Sequence, residues 1–98
     1  MSLELRVRPE AEQDIEDAAT WYEEQRLGLG QQFLDEVLGT FRRITEQSGL
    51  YPIMHRSTRR ALTHRFPFGV FYRVEEGFIV VVAVMHGSQD PQRWKERT

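Results

Sequence analysis

The chain has 98 residues, of which 40% are hydrophobic and 29% are charged, and its formal net charge is −2. This length predicts one domain over residues 1–98, with no room for a second domain or a large enclosed substrate cavity. The absence of cysteine excludes disulfides and thiolate chemistry. Because the sequence has neither a signal-peptide pattern nor a membrane-spanning stretch, we expect a cytoplasmic protein with no membrane partner.

The charges are distributed unevenly along the chain. Residues 1–49 contain eleven Asp or Glu and five Arg, whereas residues 50–98 contain four acidic and eight basic residues. Lys95 is the only lysine, so the basic half acts through arginine, whose planar fork suits carboxylates and phosphates. This pattern favours an anionic partner for the second half, although a genome rich in arginine codons explains it equally well.

The first half of the chain predicts one strand and two helices. Apolar and charged residues alternate over 3–8, which is typical of a half-buried strand. Pro9 suits the first position of a helix, and apolar residues at steps of three and four predict that helix over 9–25. Residues 27–30 interrupt the pattern with two glycines, and a stronger apolar stripe over 33–44 predicts a second helix. The two helices should form a hairpin.

The second half predicts an irregular segment followed by three strands. Tyr51-Pro52 opens a connection that runs to about Thr58, and the expected strands cover 60–65, 68–74 and 78–85. Gly77 suits the left-handed position of a tight hairpin between the last two strands. The predicted fold is therefore α+β with the order β-α-α-β-β-β, in which the helical hairpin packs on one face of a largely antiparallel sheet.

The last predicted strand raises the question of what covers its second face. Phe78 to Met85 has no polar residue, although a strand that is covered on one face alone should alternate apolar and polar side chains. Either the chain's own tail or a partner protein should lie on the other face. We expect Asp90 to cap a short C-terminal helix with Pro91 in its first position, and Trp94 to fold back onto the apolar sheet.

Over almost its whole length the sequence resembles the ParE/RelE toxin superfamily of toxin–antitoxin modules. It looks closer to the plasmid-stabilisation gyrase poisons than to the ribosome-dependent messenger-RNA interferases. The residues that carry the resemblance are Ala11-x-x-Asp14-Ile15, Trp21-Tyr22, Gly28-x-Gly30-x-x-Phe33, Tyr51-Pro52, Arg59-Arg60, Pro67-x-x-Val70-x-Tyr72-x-Val74 and His86-x-x-x-Asp90-Pro91-x-x-Trp94-x-x-Arg97.

The resemblance implies a toxin that a cognate antitoxin neutralises and that inhibits DNA gyrase, with DNA contacted only through the antitoxin. It makes a protein inhibitor more plausible than an enzyme, while a ribosome-dependent endoribonuclease and a degenerate antitoxin-binding module remain as alternatives. Three positions depart from similar proteins. Gln89 replaces the Arg of His-x-x-Arg-Asp-Pro, Gly69 stands near an expected third-strand Arg, and Trp94 sits where the ribonucleases carry a Tyr or His. We expect the Gln89 side chain to be exposed.

Ribonuclease chemistry would need a proton acceptor, a proton donor and cations around the phosphate. His86, Arg60 and Arg73 are the candidates, because imidazole titrates near neutral pH and guanidinium stabilises anions. Each has a structural alternative. His86 at a strand end can be a hydrogen-bonded capping residue, and Arg73 can pair with Glu75 on a solvated face.

A protein partner is the better prediction for the basic residues, since the chain as a whole is acidic. Arg59 and Arg60, flanked by further basic residues, form the densest basic segment. The predicted partner-binding residues are Arg59, Arg60, Arg65, Arg73, His86, Trp94 and Arg97. Scattered histidines and the absence of a phosphate-binding loop indicate neither a metal nor a cofactor. A homodimer is a further possibility.

Overall fold

The computed structural model describes residues 3–98 and contains three helices and five strands within that range. β1 and α1 open the chain, α2 completes a helical hairpin, and four strands precede the short α3. The elements are β1 (Glu4–Val7), α1 (Pro9–Gln25), α2 (Leu29–Glu46), β2 (Ile53–His55), β3 (Thr58–Leu62), β4 (Phe68–Glu75), β5 (Phe78–His86) and α3 (Gln92–Lys95). No helix in residues 3–98 is both long and apolar enough to cross a membrane.

The strands form one sheet in the order β1-β5-β4-β3-β2. β1 pairs parallel with β5, and the other neighbours pair antiparallel. This confirms the predicted α+β class, the helical hairpin and the largely antiparallel sheet. Gly77 has the predicted positive φ of 86° in the turn between β4 and β5, a conformation that glycine adopts without steric cost.

The irregular connection predicted for residues 51–58 was wrong in part, because it contains β2. This strand has three residues and pairs with β3 through a two-residue turn. Arg56 occupies that turn with a φ of 54°, although Gly, Asn or Asp usually fills such positions. A strand this short shows no alternation, and its turn lacks the expected residue type, so neither signal was present in the sequence.

The helices cover one face of the sheet with an aromatic cluster. The Tyr22 ring lies 5.3 Å from Phe33 and 4.8 Å from Phe66, and Phe33 lies 4.9 Å from Phe68. Gly30 allows the close approach of the helices, since a Cβ atom there would lie 2.6 Å from the Ala19 carbonyl oxygen. The stripes predicted from the sequence therefore meet as one core.

The opposite face is called the Trp94 face here, and it comprises the outward side chains of the sheet together with Trp94. The apolar run in β5 is divided between the two faces, and a bulge adds Val82 opposite the Phe71–Tyr72 step. Trp94 is 7% exposed and stacks on Phe71 at 4.3 Å. The chain's own tail therefore covers the centre of this face, which was one of the two alternatives that the sequence predicted.

Candidate functional site

Arg59 and Arg60, which are adjacent in the sequence, lie on opposite faces of the sheet. Arg59 pairs in register with Tyr72, whose side chain belongs to the helix-covered core. Arg60 pairs with Phe71, which packs against Trp94. Successive side chains of β3 point to opposite faces of the sheet, so these two arginines do not form the single basic patch that the sequence predicted.

Arg59 holds the segment that links α2 to β2. Its Nη1 donates hydrogen bonds to the carbonyl oxygens of Tyr51 at 2.6 Å and Gly49 at 3.2 Å. Tyr72 supports the same segment by donating its hydroxyl to the Ser48 carbonyl at 2.6 Å. Burial raises the pKa of Tyr72 to about 12, although Arg59 acts in the opposite direction. The contacts of Arg59 therefore stabilise the fold.

Arg60 lies in a pocket of about 290 Å³ beside Trp94. Its Nε is buried and has no hydrogen-bond partner among residues 3–98. A Cβ atom at Gly69 would lie 3.1 Å from Arg60 Cδ, so glycine at this position gives the arginine room to cross β4. Lys95 and the largely exposed Leu62 line the same pocket, which therefore combines positive charge with apolar walls.

His86 ends β5 at the border of this pocket. Its Nδ1 accepts a hydrogen bond from the Ser88 backbone N–H at 2.9 Å, and the Ser88 hydroxyl lies 2.7 Å away. The ring packs edge-on against Phe68 at 5.3 Å. An Nδ1 that accepts from a backbone amide leaves the proton of a neutral imidazole on Nε2. His86 therefore closes the turn after β5, as its structural alternative predicted.

Arg73 is separated from His86 along the sheet. His86 pairs with Phe68, and the five residue steps from Phe68 to Arg73 span roughly 17 Å of strand. Arg73 Nε donates to Glu75 Oε1 at 3.0 Å, which is the predicted ion pair. The pocket thus brings together two of the three ribonuclease candidates, Arg60 and His86, and leaves Arg73 outside.

Arg65 lies at the helix-hairpin side of the molecule. Its backbone N–H and that of His64 donate to Glu36 Oε1 at 2.6 and 2.7 Å, and its guanidinium donates to Gln32 at 3.0 Å. The backbone hydrogen bond from Arg65 is the main cause that lowers the pKa of Glu36, and the charges of His64 and Arg43 add to it. Glu36 thereby anchors the β3–β4 loop to α2.

Arg97 joins the two ends of the chain. Its guanidinium binds both carboxylate oxygens of Asp14, at 2.6 and 3.1 Å, and Arg8 donates to the Arg97 carbonyl at 3.1 Å. The expected helix α3 is present, but it begins at Gln92 with Pro91 at the N-cap, one residue later than predicted. Asp90 Oδ1 accepts from the Gln92 backbone N–H at 3.0 Å. These contacts place Trp94 on the sheet.

Gln89 is half-buried, so the expectation of an exposed side chain was wrong. Its Oε1 accepts a hydrogen bond from the His86 backbone N–H at 2.6 Å, and its own N–H donates to the His86 carbonyl at 3.0 Å. The reason is the turn after β5, which brings position 89 back beside the strand end. Sequence reasoning also missed the contributions of Met54, Leu62 and Lys95 to the pocket, because single exposed side chains on separate elements carry no shared pattern.

The fold is shared with solved structures from two toxin–antitoxin systems. A structure of the chromosomal ParDE system from P. aeruginosa matches 87% of this chain and 96% of that chain at 16% identity, with a TM-score of 0.65. The RelBE2 toxin–antitoxin complex from Mycobacterium tuberculosis matches 88% of this chain and 99% of that chain at 14% identity, with a TM-score of 0.62. These two likenesses establish the fold.

The family itself follows from the sequence. The model of the ParE toxin of the type II toxin–antitoxin system parDE matches residues 5–91, and the chain belongs to this family. No curated protein sequence matches the chain. The resemblance to the ParE/RelE superfamily is thereby confirmed, and the chain is a toxin of the type II class.

Proposed function

We propose that a cognate antitoxin neutralises this toxin by lying across the Trp94 face, and that the free toxin inhibits DNA gyrase in the cytoplasm. Membership of the ParE family supports both parts. The solved relatives are described as a ParDE system and a RelBE2 complex, in which a toxin accompanies an antitoxin. The direct support from this chain is its pocket beside Trp94.

The pocket fits a segment that carries both acidic and apolar side chains. Within the described part of the chain the buried Arg60 Nε has no hydrogen-bond partner, and Lys95 adds a second positive charge. The apolar anchor points are Leu62, 56% exposed, and Met54, 38% exposed. A carboxylate would give the Arg60 guanidinium a charge-assisted hydrogen bond, while the apolar side chains would provide area to bury.

Inhibition by binding is favoured over RNA cleavage because the ribonuclease candidates are dispersed. Arg73 is held in its pair with Glu75 and lies far along β4 from His86, whereas general acid–base catalysis needs groups within hydrogen-bond reach of one phosphate. The alternative endoribonuclease retains one supporting observation, namely that Arg60 and His86 border the same pocket. A degenerate module that binds antitoxin without poisoning a target would share the pocket but lack toxicity.

The antitoxin surface is tested by a charge reversal. Arg60→Glu should slow association with the antitoxin encoded by the neighbouring reading frame by about tenfold at low salt, and the effect should shrink as salt rises. Arg42→Glu is the matched control, since Arg42 is exposed on α2 and lies away from the Trp94 face. Equal association rates for Arg60→Glu and the wild type at low salt would show that the antitoxin binds elsewhere.

The target is tested by inducing the toxin in a sensitive host without the antitoxin. We expect altered plasmid supercoiling and growth arrest while messenger RNA stays intact. Purified gyrase with relaxed plasmid provides the direct assay, and loss of supercoiling activity should scale with toxin concentration. Site-specific cleavage of messenger RNA in purified translating ribosomes would overturn the gyrase proposal, and growth without arrest would identify a degenerate module.

A further inference from the structure

β5 extends beyond the strand that pairs with its outer edge. β1 covers β5 from Phe78 to Val81, and the Arg8 backbone N–H donates the last bond on this side, to the Val81 carbonyl at 3.0 Å. β5 itself continues to His86. Among residues 3–98, the segment 82–86 therefore has a strand neighbour on the β4 side only.

Side chains, and not backbone, occupy the uncovered edge. Every second residue of a strand directs its backbone groups to the same edge, and three such groups are bonded by side chains from α1 or the C-terminal segment. The bonds are Arg97 Nη1 to Val82 O at 3.1 Å, Val84 N to Asp14 Oδ2 at 3.0 Å and His86 N to Gln89 Oε1 at 2.6 Å. This set is called the edge gate.

A cleft of about 620 Å³ lies directly beside the edge gate, between α1 and the segment that leads into α3. Such a volume is typical of clefts that bind ligands. Trp21 lines it although the residue is 56% exposed, and Arg93 lines the opposite wall. Neither the Trp21 indole N–H nor the Arg93 guanidinium appears in a hydrogen bond with residues 3–98, so both donors are free to meet a ligand.

We propose that the edge of β5 from Val82 to His86 is a strand-acceptor site for an extended segment of another protein, and that the edge gate closes it. The occupant alternates apolar residues with an acidic residue that meets Arg93. Extended backbone is the one conformation whose N–H and C=O groups match the spacing of this edge. The added strand would lie beside β5, in line with β1, and fill the cleft. This site does not depend on which host target the toxin acts on.

Gln89 supplies the acceptor that closes the His86 end of the edge gate. Its side-chain oxygen accepts the His86 N–H, whereas an arginine at this position would have no acceptor atom. An arginine here would leave that N–H available. The residue at position 89 therefore sets how tightly this end of the edge is closed.

The test uses a synthetic peptide, acetyl-(Val-Glu)₃-amide, and the full chain labelled with ¹⁵N. The chain has two tryptophans, so two indole signals report separately on the cleft and on the Trp94 face. We expect the peptide to shift the Trp21 indole and the backbone amides of Val84 and His86 strongly, and to shift the Trp94 indole less, because that ring stacks on Phe71 on the opposite face of the sheet. Gln89→Ala should tighten binding at least threefold, because the peptide then has no competitor for the His86 N–H.

Two controls separate strand addition from loose adhesion. Gln31→Ala removes a glutamine from an exposed pair with Asp35 on α2 and should leave the affinity unchanged. Two N-methylated peptides, each blocked on the N–H groups of one edge, should differ by tenfold or more, since one edge alone faces β5. Equal binding of the two isomers, or no binding to either the wild type or Gln89→Ala at millimolar peptide, would overturn the proposal.

Discussion

The two faces of the sheet are built from the same strands but are covered in different ways. On one face the helical hairpin buries a continuous aromatic cluster. On the other, one tryptophan covers the centre, while Arg6 lies over the Phe78 ring at 4.1 Å and Arg73 pairs with Glu75. The first face derives its stability from many contacts. The second depends on few contacts, and this leaves its rim available for recognition.

The comparison explains why neighbouring residues in one strand have opposite roles. Tyr72 is fully buried beneath the hairpin, whereas Arg73 lies at the rim of the Trp94 face. The same holds for Arg59 and Arg60 in β3. A strand places successive side chains on opposite faces, so the two adjacent arginines divide their roles. Arg59 holds the segment before β2, and Arg60 lines the pocket beside Trp94.

The largest expected effect comes from removing the single cover of the second face. Trp94→Ala should lower the free energy of unfolding by about 3 kcal/mol or more, because it leaves a cavity over Phe71. Trp21→Ala is the matched control, and we expect a loss below about 1 kcal/mol since Trp21 is 56% exposed. Urea denaturation followed by circular dichroism measures both. Similar losses for the two variants would show that Trp94 does not cover the face alone.

A smaller effect should follow from breaking the link between the chain ends. Asp14→Ala leaves the Val84 N–H unbonded, and Arg97→Ala removes three hydrogen bonds, so each should cost roughly 2 kcal/mol. A double-mutant cycle should give a coupling of about 1 to 2 kcal/mol.

The exposed pair of Arg6 and Glu4 is the control for that cycle. Their side chains are 56% and 65% exposed, and we expect a coupling below about 0.5 kcal/mol. A coupling between Asp14 and Arg97 no larger than this would mean that the two ends are held together by Trp94 packing alone.

The sequence predicted the helices and the long strands well because their patterns are local. Apolar spacing over 9–25 and the uninterrupted run in β5 each define an element without knowledge of its neighbours. β2 was missed, since a strand of three residues is too short to show an alternation of apolar and polar residues. The contact between Asp14 and Arg97 joins residues 83 positions apart, and the resemblance showed both residues without showing that they touch.

The candidate site was predicted only in part. Arg60, His86 and Trp94 were identified and Lys95 was not, and the division of Arg59 from Arg60 depends on the exact register of β3. A register error of one residue moves every side chain of a strand to the opposite face of the sheet. The burial of Gln89 depends on the turn after β5, and turn geometry of this kind leaves no signal that composition or spacing can show.

The smallest expected effect concerns the loop that joins β3 to β4 on the helix-covered side. Glu36 accepts two backbone hydrogen bonds, and its pKa lies below the ordinary value of 4.5, first because of the Arg65 N–H. A lowered pKa in the folded state means that the ionised carboxylate stabilises the fold above pH 4.5. This contribution is lost as the pH falls through the lower, folded-state value.

Glu36→Gln should therefore cost about 1 kcal/mol at pH 7, since a neutral amide replaces a charged acceptor. The difference from the wild type should narrow as the pH falls below 4.5, because the wild-type carboxylate then becomes protonated as well. Asp35→Asn, at an exposed neighbouring position on α2, should change stability little at any pH. Denaturation series from pH 7 to pH 3 measure all three proteins. A deficit of Glu36→Gln that stays constant across this range would show that the amide loses packing and geometry, and that the carboxylate charge does not hold the loop.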